Sequence, residues 1–400
     1  MSSTALPERQ WRTYRLVAKR PQSALITLFE WVTEAFPCAY QPGQYLSFKL
    51  PHSVTTTGVA LLRQYSIVEW IEKNGQIHVQ VAVKHERAPD AHPEWMDGVG
   101  SSYFHQDVQV GDELMAVGPM GEFVLQTGSM RPVVLLSGGV GATPLLAMLA
   151  QLAQEGARRV HYIHACENGV HHAFYEQVTA FVAKQPHLIQ QHIAYRSPTE
   201  ADRSLGRFDV EGLLNKAALQ RWLCLDDYEW YLCGPTPFMH AMWAVLAELG
   251  VRSERIYYEF FGPVQPLGGG LNPAVAPVVN STNAPMLESV SATRALTTEY
   301  EHDERQPEPA SQAQHVVQFG ADQPEVLWQE GAQQSLLELA ESVGLEPNFS
   351  CRSGVCNSCM CTLVSGEVQY TEEPLDELPP NKILLCCAQP LSPKVVVELD

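Results

Sequence analysis

Three times between residues 130 and 262 a short apolar run passes into an amphipathic stretch of helical period. "PVVLLSG" runs into "ATPLLAMLAQLAQEG", "RVHYIHA" into "HHAFYEQVTAFVAKQ", and "EWYLCG" into "TPFMHAMWAVLAELG". Strands joined through helices pair in parallel, so this part of the chain reads as an α/β domain around a parallel sheet. The flanks follow other rules. Residues 1–125 alternate apolar and polar positions in short runs, as in "IHVQVAVKHE", where Val79, Val81 and Val83 share one face; this predicts an antiparallel barrel or sandwich. Residues 264–313, rich in Pro, Gly, Ala, Asn and Ser, hold neither period and read as a flexible linker. About 50 such residues span on the order of 40 Å, enough to let a tethered domain swing. After it come two short strands, a helix in "SLLELAESVG", a cysteine-rich loop and further strands, an α+β pattern.

Charge narrows the partners. The net charge is −19, and residues 264–400 carry 19 acidic against 5 basic side chains. An acidic C-terminal third argues against nucleic acid and for docking on a basic protein surface. The N-terminus has no apolar signal region and no apolar run reaches membrane-spanning length, so the chain reads as soluble and cytoplasmic, without membrane insertion. In a reducing compartment its ten cysteines point to metal or redox work rather than disulfides.

Two glycine turns suit anions. Gly138, Gly139 and Gly141 follow the apolar strand and lead to Thr143 and Pro144 at a helix start, where free N–H groups and the helix dipole favour a pyrophosphate. Gly98, Gly100, Ser101 and Ser102 form a second small-residue turn before a helix. Cys233, Gly234 and Pro235 end another strand at the edge of the same sheet, where ligands of open α/β sheets bind. "RQYS", Arg63 to Ser66, places a cation, an amide, a ring and a hydroxyl on a barrel strand, suited to a phosphate, a ring face and a ring nitrogen.

Cys351, Cys356 and Cys359 stand at the C-x4-C-x2-C spacing of plant-type [2Fe-2S] centres, with a remote fourth cysteine in "LLCCAQP". Cys386 is favoured because Pro390 lies four residues on; Cys387 is the fallback. Zinc is the competing metal, but its usual paired C-x2-C units are not present. Cys38, Cys166, Cys224 and Cys361 have no partner at ligand spacing and read as structural, and the adjacent His171 and His172 read as exposed surface.

With these residues in view the chain resembles the ferredoxin–NADP reductase superfamily joined to a C-terminal plant-type ferredoxin. Residues 40–263 are most similar to the reductase half of flavohemoglobins, through "PGQYL", "RQYS", "VAVK", "GVGATPLLAML", "HACENGVHHAF", "YRSPTEAD" and "YEFFGP". The arrangement is also similar to reductases of the hybrid-cluster protein and of multicomponent oxygenases. The resemblance implies an antiparallel β-barrel FAD domain (1–126), an NAD(P) domain (127–263), a linker (264–313) and a β-grasp [2Fe-2S] domain (314–400). It implies that Arg63, Gln64, Tyr65 and Ser66 bind FAD with Val81, Val83, Lys84 and the turn Gly98–Ser102, and that Glu259 and Phe261 close over the flavin. It assigns Gly138, Gly139, Gly141, Thr143, Pro144, Cys233, Gly234 and Pro235 to the nicotinamide nucleotide, with Ser66, Cys233 and Glu259 nearest the chemistry. Arg196, with Arg203 or Arg207, is the available anchor for a 2′-phosphate, which leaves NADH favoured and NADPH open. The implied activity is an NAD(P)H-dependent iron–sulfur flavoprotein reductase acting on a redox acceptor protein such as hybrid-cluster protein or an oxygenase. Nitric oxide detoxification and a redox-sensing module without steady turnover are the alternatives.

Overall fold

The computed structural model describes residues 10–51, 54, 61–88, 96–261, 314–320, 323–329, 334–345, 347–349, 352, 354–355 and 357–399. The 264–313 linker, Cys351 and Cys356 lie outside them.

Six strands close an antiparallel barrel: β1 (Arg12–Pro21), β2 (Ile26–Glu34), β3 (Tyr45–Leu50), β4 (Leu61–Lys73), β5 (Gln76–Lys84) and β6 (Glu113–Met120), in the order β1-β2-β5-β4-β3-β6. Closure removes the edges that an open antiparallel sheet would expose. The barrel interior takes the alternate residues that the sequence marks as apolar, among them Phe29, Trp31, Phe48, Ile67, Val79, Val81, Val83 and Phe104, all fully buried. Between β5 and β6 the chain turns through a short helix, α1 (Val99–Ser102).

The second unit is a six-stranded sheet ordered β10-β9-β8-β7-β11-β12, parallel throughout. Its elements are β7 (Val133–Gly138), α2 (Ala142–Glu155), β8 (Val160–Cys166), α3 (Tyr175–Lys184), β9 (Ile189–Tyr195), α4 (Glu200–Leu205), β10 (Val210–Glu211), α5 (Lys216–Trp222), β11 (Glu229–Gly234), α6 (Thr236–Glu248) and β12 (Ile256–Phe260). The chain leaves β7 toward β8 on one side and later returns to β11 on the other. The carboxyl ends of β7 and β11 therefore flank the topological switch point, where such sheets hold ligands. Ile26, Leu28, Val68 and Ala82 of the barrel share one buried cluster with Leu145, Met148 and Leu149 of α2. That shared core fixes the barrel against the parallel sheet.

The third unit places β13 (Gln314–Phe319), β14 (Glu325–Gln329), β15 (Met360–Ser365), β17 (Lys382–Leu384) and β19 (Lys394–Glu398) in a mixed sheet, with β16 (Val368–Tyr370) and β18 (Ala388–Pro390) paired beside it. Helix α7 (Leu336–Ser342) buries Leu336, Leu337, Leu339 and Ala340 against this sheet. Its start is fixed by a capping box, Ser335 Oγ accepting from Glu338 N while the Glu338 carboxylate accepts from Ser335 N. Asp376 of this unit meets the barrel: Trp11 Nε1 donates to Asp376 Oδ1 at 3.0 Å, and Lys49 Nζ donates to both carboxylate oxygens at 3.1 and 3.0 Å.

Candidate active site and electron-transfer centre

The barrel and the parallel sheet meet at a cleft of about 210 Å³. β4 supplies Arg63, Gln64, Tyr65 and Ser66; the α1 turn supplies Gly98, Gly100 and Ser101; the start of α2 supplies Val140 and Thr143; and Phe261 follows β12. A Cβ on Gly100 would lie 2.8 Å from Arg63 Cγ and 2.9 Å from its Nε, so the bare glycine is what lets the arginine stem lie against the turn. Arg63 Nη1 donates to the Leu62 carbonyl at 2.8 Å. Ser101 Oγ closes the turn, donating to the Gly98 carbonyl and accepting from Glu86 N. Tyr65 packs edge-on against Phe104 at 4.9 Å, which holds its ring at the barrel rim. Ser66 is 4 % exposed, and its Oγ has no hydrogen-bond partner among the described residues. A buried, unpartnered hydroxyl beside an anion turn fits a polar heterocycle with a phosphate tail.

Val81 and Val83 do not line the cleft with their side chains: both are fully buried inside the barrel, and the opposite face of β5 offers Ala82 and Lys84 instead. Ser102, next along the turn, places its Oγ 3.3 Å from His85 Nε2.

At the switch point the glycines serve close approach. A Cβ on Gly141 would lie 2.2 Å from the Cys233 carbonyl oxygen, and one on Gly234 would lie 2.6 Å from the Phe238 ring and 3.1 Å from Gly138 Cα. The β7 and β11 turns therefore touch backbone to backbone. Gly139 differs: its φ of +52° needs glycine, and nothing lies within 4 Å of where a Cβ would be. Thr143 Oγ1 folds back onto the Val140 carbonyl at 3.0 Å, and Pro144 is buried in the first turn of α2. Pro235 precedes α6. Cys233 pairs in register with Glu259 across β11 and β12. Burial, then the neighbouring Glu259, hold the Cys233 thiol well above its ordinary range. The Glu259 Oε2 atom is buried without a partner among the described residues, and desolvation pushes that carboxyl up to about 8.

The basic residues near β9 are matched by acids. Arg203 pairs with Glu211 at 2.7 Å, Arg207 with Glu176 at 3.4 Å, and Arg196 lies 3.9 Å from Glu167. All three arginines thus face a carboxylate that would compete with a 2′-phosphate.

In the third unit Cys359 is 3 % exposed and ends the cysteine loop at β15. Gly354 N donates to Cys386 Sγ at 3.3 Å, whereas Cys387 is buried in the apolar core with its Sγ 3.7 Å from the Leu384 carbonyl. The loop's Arg352, Gly354 and Asn357 have φ of +53°, +67° and +58°. This left-handed winding, together with the Gly354 N–H aimed at sulfur, suits a cluster that draws backbone donors to its thiolates. Cys361 is buried in the core, as a structural cysteine would be.

One grouping has no counterpart in the spacing argument. His172 is buried, not exposed, and with His164 and Cys166 it brings three ligand atoms within 4.8 Å of one another. His164 and Cys166 share a face of β8, two residues apart, a signal that was present in "HAC"; the loop that returns His172 to them left no trace in the spacing.

Three family models match the chain in order: an oxidoreductase FAD-binding domain over residues 15–125, an oxidoreductase NAD-binding domain over 135–243, and a 2Fe-2S iron-sulfur cluster binding domain over 322–391. Flavohemoproteins of Bacillus thuringiensis and Bordetella pertussis are 36 % and 38 % identical over 262 and 256 residues, which is 65 % and 63 % of this chain. The chain spans 63 % and 61 % of those relatives' lengths. The flavohem-like FAD/NAD binding domain of nitric oxide dioxygenase from Vibrio cholerae is 33 % identical, with 63 % of this chain and 99 % of that one covered and a TM-score of 0.53. Phthalate dioxygenase reductase, described as a modular structure for electron transfer from pyridine nucleotides to [2Fe-2S], aligns over 97 % of this chain and 98 % of its own with a TM-score of 0.51; at 20 % identity it speaks to the fold. The ordered FAD-binding, NAD-binding and 2Fe-2S domains make this chain a ferredoxin–NADP-reductase-like unit joined to a C-terminal [2Fe-2S] domain.

Proposed function

We propose that the protein is an NADH-dependent iron–sulfur flavoprotein reductase that delivers single electrons to a partner redox protein. The carrying observation is the convergence of Arg63–Ser66, the Gly98–Ser101 turn and the Val140–Thr143 turn on one cleft. FAD in that cleft would supply the conversion between a two-electron nicotinamide and a one-electron [2Fe-2S] centre. Arg63 and the α1 turn would hold its phosphates, Tyr65 its ring, and the free Ser66 Oγ would donate to a ring nitrogen. Gly139 and Thr143 would carry the dinucleotide phosphates at the start of α2, and Cys233 and Glu259 would bound the nicotinamide. The protonated Glu259 carboxyl can donate a hydrogen bond there at neutral pH. Cys351, Cys356, Cys359 and Cys386 would hold the cluster, the last favoured over Cys387 by its bond from Gly354 N. The carboxylates beside Arg196, Arg203 and Arg207 support NADH over NADPH.

The acceptor is an oxygenase component or the hybrid-cluster protein. The first is supported by the likeness in fold to phthalate dioxygenase reductase across nearly the whole chain. A second reading, delivery of electrons for nitric oxide detoxification, is supported by the flavohemoprotein likeness and would need a separate haem protein. The test is steady-state reduction by NADH of ferricyanide and of cytochrome c. Cys386→Ser should abolish cytochrome c reduction and spare ferricyanide; equal loss of both, or of neither, would overturn the assignment of the C-terminal unit as the electron outlet. Negligible turnover with intact cofactors would favour a redox-sensing module.

A further inference from the structure

His164 and Cys166 end β8, His172 stands in the loop that follows, and the neighbouring strand end, Ser137–Gly138, leads into the glycine turn; the proposed reaction uses none of the three. His164 Nδ1 meets Ser137 Oγ at 2.8 Å, and Ser137 Oγ in turn donates to the Ile163 carbonyl at 3.4 Å. In the arrangement where Ser137 keeps its proton on the Ile163 carbonyl, it accepts from His164 Nδ1–H and the Nε2 lone pair is left free for a metal. His172 Nδ1 meets Tyr195 Oη at 2.9 Å. The Nε2 atoms of both rings are buried and have no hydrogen-bond partner among the described residues. His164 is 1 % and His172 5 % exposed, and their rings stack at 4.5 Å. A buried, unpaired imidazole nitrogen is costly, and two side by side near a thiol have one economical common partner.

We infer that His164 Nε2, His172 Nε2 and Cys166 Sγ form a binding site for one zinc ion. Two imidazoles and one thiolate match the borderline-soft preference of Zn²⁺, and the hydroxyls of Ser137 and Tyr195 hold the far ring nitrogens as outer-shell partners of ligating histidines do. Ligand atoms around a tetrahedral zinc, at bond lengths of about 2.0–2.3 Å, stand about 3.5 Å apart, so the trio closes by about an ångström and the two rings, stacked 29° apart, tilt until both Nε2 lone pairs meet on the ion. Desolvation keeps both imidazoles neutral, which is the ligating form. The Cys166 thiol leaves its contact with the Asn168 carbonyl and gives its proton to solvent. The bound site then carries one net positive charge. Asp202, 5 % exposed and bonded to Gly169 N at 3.2 Å, supplies a nearby carboxylate; Arg207 opposes the charge but is paired with Glu176. A cavity of about 400 Å³ that His172, Tyr195 and Arg207 line adjoins the trio on the His172 side and would supply a water as fourth ligand. Zinc would pin the 167–174 loop to the sheet edge.

The full-length protein, purified with its iron and flavin, is equilibrated with a zinc buffer at nanomolar free zinc, desalted, and examined by elemental analysis and zinc K-edge EXAFS. The expected result is one zinc per chain with one sulfur at about 2.3 Å and two imidazole nitrogens at about 2.0–2.1 Å. Cys166→Ala and His172→Phe should lose the zinc while keeping iron content and flavin absorbance. No retained zinc, a four-sulfur shell marking the C-terminal cysteines, or a shell without sulfur would each overturn the site. If a variant fails to fold, the wild-type scattering shell decides alone.

Discussion

Ser66 and Glu259 each carry a buried oxygen that no described residue bonds, an arrangement worth about 1–3 kcal/mol of instability unless a ligand completes it. For Ser66 the proposed ligand is the flavin ring. Ser66→Ala should retain FAD but slow its reduction by NADH about tenfold, equivalent to about 1.4 kcal/mol, in anaerobic stopped-flow mixing; an unchanged rate would remove the hydroxyl from the chemistry. Glu259 makes a stability prediction of definite sign. Its carboxyl moves from an ordinary 4.5 to about 8 in the fold. Between those values the unfolded chain ionises while the folded one keeps its proton, so this group lowers stability as pH rises across that window and adds nothing below it. Glu259→Gln should match the wild type at pH 4 and exceed its melting temperature by on the order of 3 °C at pH 8. At this scale the sequence was legible where neighbouring residue types differ in chemistry, as in "RQYS". Alternation along β5 does not say which face turns to the cleft and which to the barrel core, where the Val81 and Val83 side chains lie.

At the scale of elements, the site depends on two loops pressed together. A methyl on Gly141 would meet the Cys233 carbonyl oxygen at 2.2 Å, a backbone atom that cannot rotate away. Gly141→Ala should therefore cost about 2 kcal/mol or more and weaken nicotinamide binding, seen as a lower melting temperature and a raised KM for NADH. Gly139→Ala meets no neighbour and should cost only the left-handed backbone penalty, about 1 kcal/mol. The strand–helix alternation made the parallel sheet readable before any contact was known, since 3.6 and 2.0 periods reflect which faces are buried. The His164–Cys166–His172 grouping was not readable. Its members come from a strand and a returning loop, and loop return depends on tertiary contacts such as Asp202 to Gly169 N rather than on spacing.

For the whole molecule, charge governs how the ferredoxin unit meets its neighbours. Asp376 meets Lys49 and Trp11 on the barrel, and Glu372, Glu373 and Glu377 beside it are exposed. Asp376→Ala should slow cytochrome c reduction by up to about fivefold, the range of a half-exposed ion pair, with ferricyanide reduction unchanged. Reduction of the basic cytochrome should also fall as ionic strength rises from about 0.01 to 0.15 M, because the screening length contracts from about 30 to 8 Å. A salt-independent rate would show that the acidic surface takes no part in docking. The path from NADH through flavin to cluster is tested by an anaerobic titration of the full-length protein with NADH, followed by visible absorbance and low-temperature EPR. Flavin absorbance should be lost together with the rise of a rhombic S = ½ signal that disappears in Cys386→Ser and survives in Cys387→Ser. Flavin bleaching without that signal in iron-replete protein would contradict that path.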